Sequence, residues 1–483
     1  MQHTPGPAGS QTPVALLVFS VLLGTRLLLI ACFGNATPSW DQWEGEARQL
    51  YTPWLAGQLH WSDLLAPFNE HRIMATRLLD LLLLEANNHV WNCLLQMVVD
   101  ALLQVLALTY MAVYLLRACP PARRPLFLGV LLVLGAIPFG WENVLWGFQS
   151  QFYFFLLFSI VFVHTAACVP PLGRRWWLGL LCGPLSVLSL AGGVMTLAAG
   201  AFIIAQRGWR QRQPRVMPVA AVLLAMAVIA FLLTPHTRLT ETYRAHSLPE
   251  FLDALNNVMS WPFLPFSMLI VQWPLGRFLY EQTRRPPADA DASWLVYGLG
   301  LWLLGQYAGI AYGRAPLVQS SRYQDILVLG LILNALCLLR QYRPSLASGL
   351  LARYRFYQVW IVVVLLGIAL EAPDMMAHIT TRGETGLAQE QNLRHWLAAS
   401  QPGPLQGTPG QDIPFPIISQ LQAELENPQV RSILPGNLIP EHQQRQPWLV
   451  TALLAHLRAL ALCLLLAAAL LLTRVLPGAA KQA

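Results

Sequence analysis

Long apolar runs separated by short polar clusters recur along the whole chain. They fall at about Val14–Phe33, Val90–Leu116, Leu126–Trp141, Phe152–Val169, Trp176–Leu190 and Val194–Ala205. They continue at Val216–Leu233, Met259–Tyr280, Trp294–Tyr312, Ile326–Leu339, Phe356–Glu371 and Trp448–Leu472. A run of roughly 18 or more apolar residues predicts a spanning helix, because hydrocarbon offers a backbone N–H no partner outside the helix itself. The intervening clusters alternate in charge. One set holds Arg117, Arg123 and Arg124; Arg174 and Arg175; Arg207, Arg210, Arg212 and Arg215; Arg284 and Arg285. It continues with Arg340, Arg343, Arg353 and Arg355, then Arg474 and Lys481. The other set carries most of the acids. The positive-inside rule puts the Arg set and both termini in the cytoplasm, which requires an even number of spans, and twelve fits.

Composition supports the same class. Of 483 residues, 55% are hydrophobic and only 11% charged, where a soluble chain carries roughly a quarter. The net charge is +7, but the basic residues sit in short inter-run loops and form no stripe for nucleic acid. All of them but Lys481 are Arg, the codon bias expected of a GC-rich bacterial genome. The seven cysteines show no metal-binding spacing, and most lie inside apolar runs, where they behave as small hydrophobes. Residues 1–13 lack a basic leader and Val14–Phe33 lacks a cleavage site, so the first run reads as a retained helix. The expected fold is therefore all-α, an integral membrane protein with about 12 transmembrane helices and interfacial helices in the first periplasmic loop. Residues 1–371 form its core, with that loop at 34–89; residues 372–447 form a late outer segment, and 448–483 a final helix and tail.

Candidate chemistry concentrates on the outer side. The first loop reads Trp40-Asp41-Gln42-Trp43-Glu44-Gly45-Glu46, then Asn69-Glu70-His71-Arg72. Carboxylates beside Trp form either a wet interfacial belt or a site in which desolvation tunes a base and aromatics stack on a sugar. Residues 72–88 predict an amphipathic helix, with Ile73, Leu78, Leu79 and Leu81–Leu83 on the apolar face and Arg77, Asp80 and Glu85 wet. Glu142 and Gln149, in a Trp- and Gln-rich turn, suit a polar cavity. Arg314 and Arg322 oppose the charge trend, and Arg322 precedes Tyr323, a pattern suited to a phosphate. Ala191-Gly192-Gly193 reads as a helix break, and His378, His395, Arg382 and Arg394 as a wet segment.

Together these features resemble the C-type (GT-C) superfamily of glycosyltransferases, polytopic enzymes that take a sugar from a polyprenyl-phosphate carrier. The resemblance rests on Trp40-Asp41-Gln42-Trp43 after the first helix, the amphipathic stretch after His71, and the strings Asn69-Glu70-His71-Arg72, Trp146-Gly147-Phe148-Gln149 and Ser321-Arg322-Tyr323. It implies an inverting transfer on the periplasmic face of a bacterial inner membrane, to a glycan, lipid or protein acceptor. In that reading Asp41 is the base, with Glu44 and Glu46 as further catalytic acids. Arg322, Tyr323 and Arg314 hold the donor phosphate, while Glu70, His71, Arg72, Glu142 and Gln149 orient the acceptor or a metal. There is no Asp-x-Asp pair, so a divalent cation, Mg or Mn, is the one cofactor left open. The rivals are an O-antigen-type polymerase or ligase, in which the late segment would be essential, and a flippase or secondary transporter. A transporter would carry ionisable residues near helix centres, where this sequence offers mainly Asp100.

Overall fold

The computed structural model describes residues 11–235, 237–285, 291–341, 350–399 and 403–480. Arg343 and Lys481 of the basic set lie outside the described residues, as do the side chains of Arg353 and Arg355. Among the described residues every regular element is a helix. In chain order the main ones are α1 (Thr12–Phe33), α2 (Gln42–Tyr51, wound as a wide π-turn), α3 (Met74–Ala86), α4 (Cys93–Ala118), α5 (Arg124–Ala136) and α6 (Ser150–Cys168). They continue with α7 (Arg174–Leu180), α8 (Cys182–Val187), α9 (Gly193–Arg210), α10 (Met217–Leu232) and α11 (Met268–Arg284). The last four are α12 (Ser293–Gly313), α13 (Ser321–Gln341), α14 (Leu350–Ala398) and α15 (Leu457–Ala480).

Eight helices among the described residues are long and apolar enough to cross a membrane: α1, α4, α6, α10, α12, α13, α14 and α15. The apolar span of α15 is only 17% buried and that of α10 only 22%, so most of their Leu, Val and Phe side chains face outward. An apolar face that wide is compatible with a lipid surround. The other four predicted spans are short, interrupted or closed by polar residues. α5 has 13 residues, about 20 Å at the helical rise, short of a full bilayer core. The run at 176–190 breaks into α7 and α8, and α9 ends in Gln206, Arg207 and Arg210. The run at 259–280 becomes helical again only at Met268.

The bundle is built around α1, which packs on α15 and α4, and around α6, which packs on α4, α8, α9 and α12. At one end sits a cap made from residues 34–92 and the late segment. Trp40 N–H donates to Pro414 O at 2.6 Å and Trp91 N–H to Ile433 O at 2.7 Å. Asn437 Nδ2 donates to Thr37 Oγ1 at 2.9 Å, and Asn35 Nδ2 to Glu390 Oε2 at 2.8 Å. The late segment is therefore part of the cap rather than a separate wet stretch.

Three expectations change. The apolar run at 356–371 does not end its helix: α14 runs on to Ala398, because residues 374–398 are rich in Ala, Leu, Glu, Gln, Met and Arg, all good helix formers. The amphipathic helix exists, with Ile73 and Leu81 buried as expected, but part of its polar stripe is buried too. Arg77 and Asp80 are each 1% exposed, whereas Leu82 is 63% exposed. Arg77 Nη1 donates to the loop carbonyls of Asp63 (2.8 Å) and Leu64 (3.3 Å), and its Nη2 to Gln49 Oε1 (3.1 Å). Carbonyls in a buried loop need a donor more than the surface needs a charge. Glu85 stays exposed, as expected. Finally, Asp100 of α4, the main ionisable residue expected inside the bundle, is 1% exposed, but it is joined by Arg26 of α1, 4% exposed. Asp325 sits in the first turns of α13, bonded to Gln104 of α4.

Candidate functional site

The site lies where the cap meets α13. Its first element is the Ser39–Trp40–Asp41 corner. Trp40 has φ +50°, a left-handed conformation unfavourable for a large side chain. It is held there by its bond to Pro414 O and by edge packing on Trp146 at 6.2 Å between ring centroids. Trp146 Nε1 donates to Ser39 O at 3.0 Å, so one indole braces the corner from beneath. The corner sets Asp41 at the start of α2, half-buried. Burial raises its carboxyl above the usual range; Arg322 and His71 nearby pull it back, and Glu44 pushes it up.

Two guanidinium–carboxylate pairs flank Asp41. In the first, Arg314 is paired with Glu70, and Glu70 Oε1 also lies 3.2 Å from His71 Nε2. His71 Nδ1 accepts the Ala191 backbone N–H at 3.2 Å, which assigns the ring proton to Nε2, facing Glu70. Burial lowers His71 to about 4, Asp41 opposing the shift, so the imidazole is neutral near pH 7. The helix break at 191–193 thus contributes a backbone donor; Gly192 itself packs tightly, an added Cβ falling 2.8 Å from Gln306 Oε1. Arg314 also lies over the Tyr243 ring at 5.6 Å and reaches the Tyr323 hydroxyl.

In the second pair, Arg322 Nε stands 3.8 Å from Glu142 Oε1 and its guanidinium lies 4.5 Å over the Trp146 ring. Glu142 Oε2 accepts from Ser320 (3.2 Å) and Ser321 (2.6 Å). The backbone beneath Arg322 is fixed too: Asn143 Nδ2 donates to Arg322 O and to Asp325 Oδ2, both at 2.9 Å. Asp325 can approach only because residue 140 is glycine, where an added Cβ would lie 2.5 Å from its Oδ1.

Asp41, Glu70, His71, Glu142, Arg314, Arg322 and Tyr323 are therefore brought together, with Glu44 at the edge in an exposed pair with Arg48. Three candidates lie elsewhere. Glu46 turns inward, 0% exposed, and accepts from Trp91 Nε1 (2.7 Å), Gln96 Nε2 (2.8 Å), Tyr51 (3.1 Å) and Gln42 Nε2 (3.1 Å). Arg72 Nη1 holds Leu65 O at 3.0 Å, closing a loop. Gln149 is 1% exposed at the start of α6. One functional candidate escaped the sequence reading: Arg382 of α14, assigned there to a wet segment, donates from Nη2 to Ser39 Oγ at 3.2 Å. The signal was an arginine on the side where cations are disfavoured, the same signal that picked out Arg322.

The carboxylates around Asp41 each face a guanidinium, a hydroxyl or an imidazole. Among the described residues no group of three or more His, Cys, Asp or Glu converges as a metal site. This donor set fits guanidinium–anion pairing. Chemically, the arrangement offers a carboxylate with raised proton affinity beside an arginine whose own acid partner is loose. No protein-family model, curated protein or solved structure matches this chain.

Proposed function

We propose that the chain is a glycosyltransferase of the C-type superfamily that moves a sugar from a polyprenyl-phosphate donor to an acceptor, with inversion. The observation that supports this reading is the meeting of Asp41, a half-buried carboxylate, with Arg322 stacked on Trp146. The acceptor hydroxyl gives its proton to Asp41 as its oxygen bonds the anomeric carbon from one face. The bond from that carbon to the phosphate oxygen breaks on the opposite face, and the electron pair leaves with the phosphate. Arg322 and Arg314 stabilise the charge that develops there, while Glu70 keeps Arg314 in place and neutral His71 lines the acceptor side. In this reading the membrane is a bacterial inner membrane, with both termini on the Arg-rich cytoplasmic side and α5, α7–α8, α9 and α11 as shorter crossings beside the eight long helices. The test is transfer of labelled sugar from a polyprenyl-phosphate hexose by protein in vesicles. Asp41→Asn should lose roughly 10²–10⁴-fold at unchanged folding; near-normal turnover would sink the assignment.

One observation favours a second reading, a secondary transporter: Arg26 in α1 joins Gln104 at 2.9 Å, and Gln104 joins Asp325 at 2.8 Å. Such a chain of polar groups inside a bundle is what ion coupling uses. Counterflow of labelled substrate in vesicles that lack any acceptor separates the readings, because a transferase gives none.

A further inference from the structure

The opposite end of the bundle carries a cavity that the proposed reaction does not use. It has a volume of about 230 Å³ and lies between the C-terminal ends of α4 and α6 and the N-terminal end of α12. The intrabundle cavity beside Arg26 and Asp325 has only about 20 Å³, room for about one water. The larger cavity therefore has space for a group of several heavy atoms.

Its polar walls are pre-set. Tyr110 OH lies 2.6 Å from His164 Nδ1, and the Tyr114 ring packs on His164 at 4.0 Å. The Arg117 guanidinium lies 4.6 Å over the Tyr114 ring, and its Nε (3.2 Å) and Nη2 both donate to Gln11 Oε1. Across the cavity Asp291 Oδ1 is fixed by Ser293 N–H at 2.8 Å and Ser293 Oγ at 2.7 Å. Leu295 and Cys168 supply an apolar wall. Arg117 and Asp291 are both exposed at the rim.

A permanent cation and a carboxylate facing one cavity call for a ligand with both signs or with an anion and donors. With its Nε–Nη2 edge on Gln11, the stacked guanidinium offers its Nη1–Nη2 edge to a phosphate oxygen pair. The fixed carboxylate suits an ammonium or hydroxyl a few bonds away. The cavity sits where three long apolar helices end, the depth at which head groups lie. From this we propose that the cavity binds a phosphodiester bearing an ammonium or hydroxyl terminus, the chemistry shared by a phospholipid head group and a free glycerophosphodiester.

The test is native mass spectrometry on the full chain in detergent, titrated with dihexanoyl-phosphatidylethanolamine, glycerophosphoethanolamine and dihexanoylglycerol. Saturable binding of at least one phosphodiester is expected, with dihexanoylglycerol at least tenfold weaker. Binding of the lipid alone assigns a membrane source, and equal binding of glycerophosphoethanolamine a soluble one; either supports the proposal. Arg117→Gln and Asp291→Asn should each weaken binding at least fivefold. If Arg117→Gln does not fold, Arg117→Lys replaces it, with a loss of a few-fold as the stack on Tyr114 is lost. Arg322→Gln, at the other end, should leave binding intact; loss there would move the ligand to the other site and overturn the proposal. Wild-type affinity in both the Arg117 and Asp291 variants would overturn it too, as would equal binding of dihexanoylglycerol.

Discussion

Glu46 gives the sharpest test of how the cap is held. Its Oε2 accepts from Trp91, Gln96 and Tyr51 at 2.7, 2.8 and 3.1 Å, and its Oε1 from Gln42 Nε2 at 3.1 Å. Gln42 cannot turn its amide round freely, because its Oε1 accepts Ser39 N–H at 3.2 Å. Glu46→Gln therefore satisfies the three donors at Oε2 but points an amide NH₂ at another NH₂. One buried donor clash of this kind should destabilise by about 1–3 kcal/mol. Glu46→Ala strands all four donors and should cost about 3–5 kcal/mol. The pH dependence follows from the same burial. Desolvation raises the Glu46 carboxyl from 4.5 to about 7, against the pull of its four donors. Because its folded value lies above its unfolded value, the folded state holds the extra proton between about 4.5 and 7. The Glu46 contribution to stability is thus full below that window and falls as pH rises through it, by about 1.4 kcal/mol per unit at most. In Glu46→Gln that slope should be shallower by the Glu46 contribution, while Asp80, also raised by burial and then by Glu46, keeps its own fall with pH. Thermal midpoints read by tryptophan fluorescence in detergent, from pH 4.5 to 7.5, check both claims. A Glu46→Gln protein that melts with wild type and keeps the wild-type slope would refute the reasoning.

Other outcomes follow from the site. Arg322→Lys should lower donor kcat/KM about tenfold, since it loses the Trp146 stack worth about 1–2 kcal/mol. Arg322→Ala should lower it by a further 2 kcal/mol or so; two variants equal to wild type would place the phosphate elsewhere. His71 is neutral near pH 7, so His71→Gln should scale the pH–rate profile down without changing its shape between pH 5.5 and 8. The rise of that profile with pH should follow the raised carboxyl of Asp41 and disappear in Asp41→Asn. Reporter fusions at Arg212 and Gly403 should give opposite signals, because the two positions belong to opposite charge sets.

What the sequence made legible was what depends on local pattern. Apolar runs located every long helix, and a misplaced arginine located Arg322 beside Glu142. What it hid depends on long-range partners. Arg77 and Asp80 lie on the polar stripe of α3, and polarity alone predicts a wet face; only the carbonyls at Asp63 and Leu64, brought underneath by the loop, explain why that stripe points inward. Glu46 looked like a third catalytic acid because it is three residues from Trp43, yet four donors from α2, α4 and the cap consume it. Arg382 carried the same signal as Arg322, an arginine on the cation-poor side, but the partner that gives it a place, Ser39, is 343 positions away. The helix break at 191–193 gained meaning only when His71 arrived to accept its amide.

Arginine at bundle depth has a second reading that bears on the choice between transferase and transporter. The last carbonyls of a helix have no partner within it, and in hydrocarbon no water replaces one. Arg26 donates to Gly135 O at 2.8 Å and Ala136 O at 3.2 Å, the end of α5. Arg207 donates to Ala166 O at 2.7 Å, in the last turn of α6. Arg340 bonds Ala118 O at the end of α4, and Arg123 bonds Leu339 O in the last turn of α13. Four helices thus end on the guanidinium of a neighbour, which supplies several donors and a charge opposed to the helix dipole. Arg26 follows the same rule deeper in the bundle, because α5 is short and ends there. Its burial is accounted for by capping, with Gln104 and Asp325 closing the network on its far side. Capping of this kind does not account for the Arg314–Glu70 and Arg322–Glu142 pairs that flank Asp41 at the mouth of the cap, and it is on Asp41 and Arg322 that the transferase reading stands.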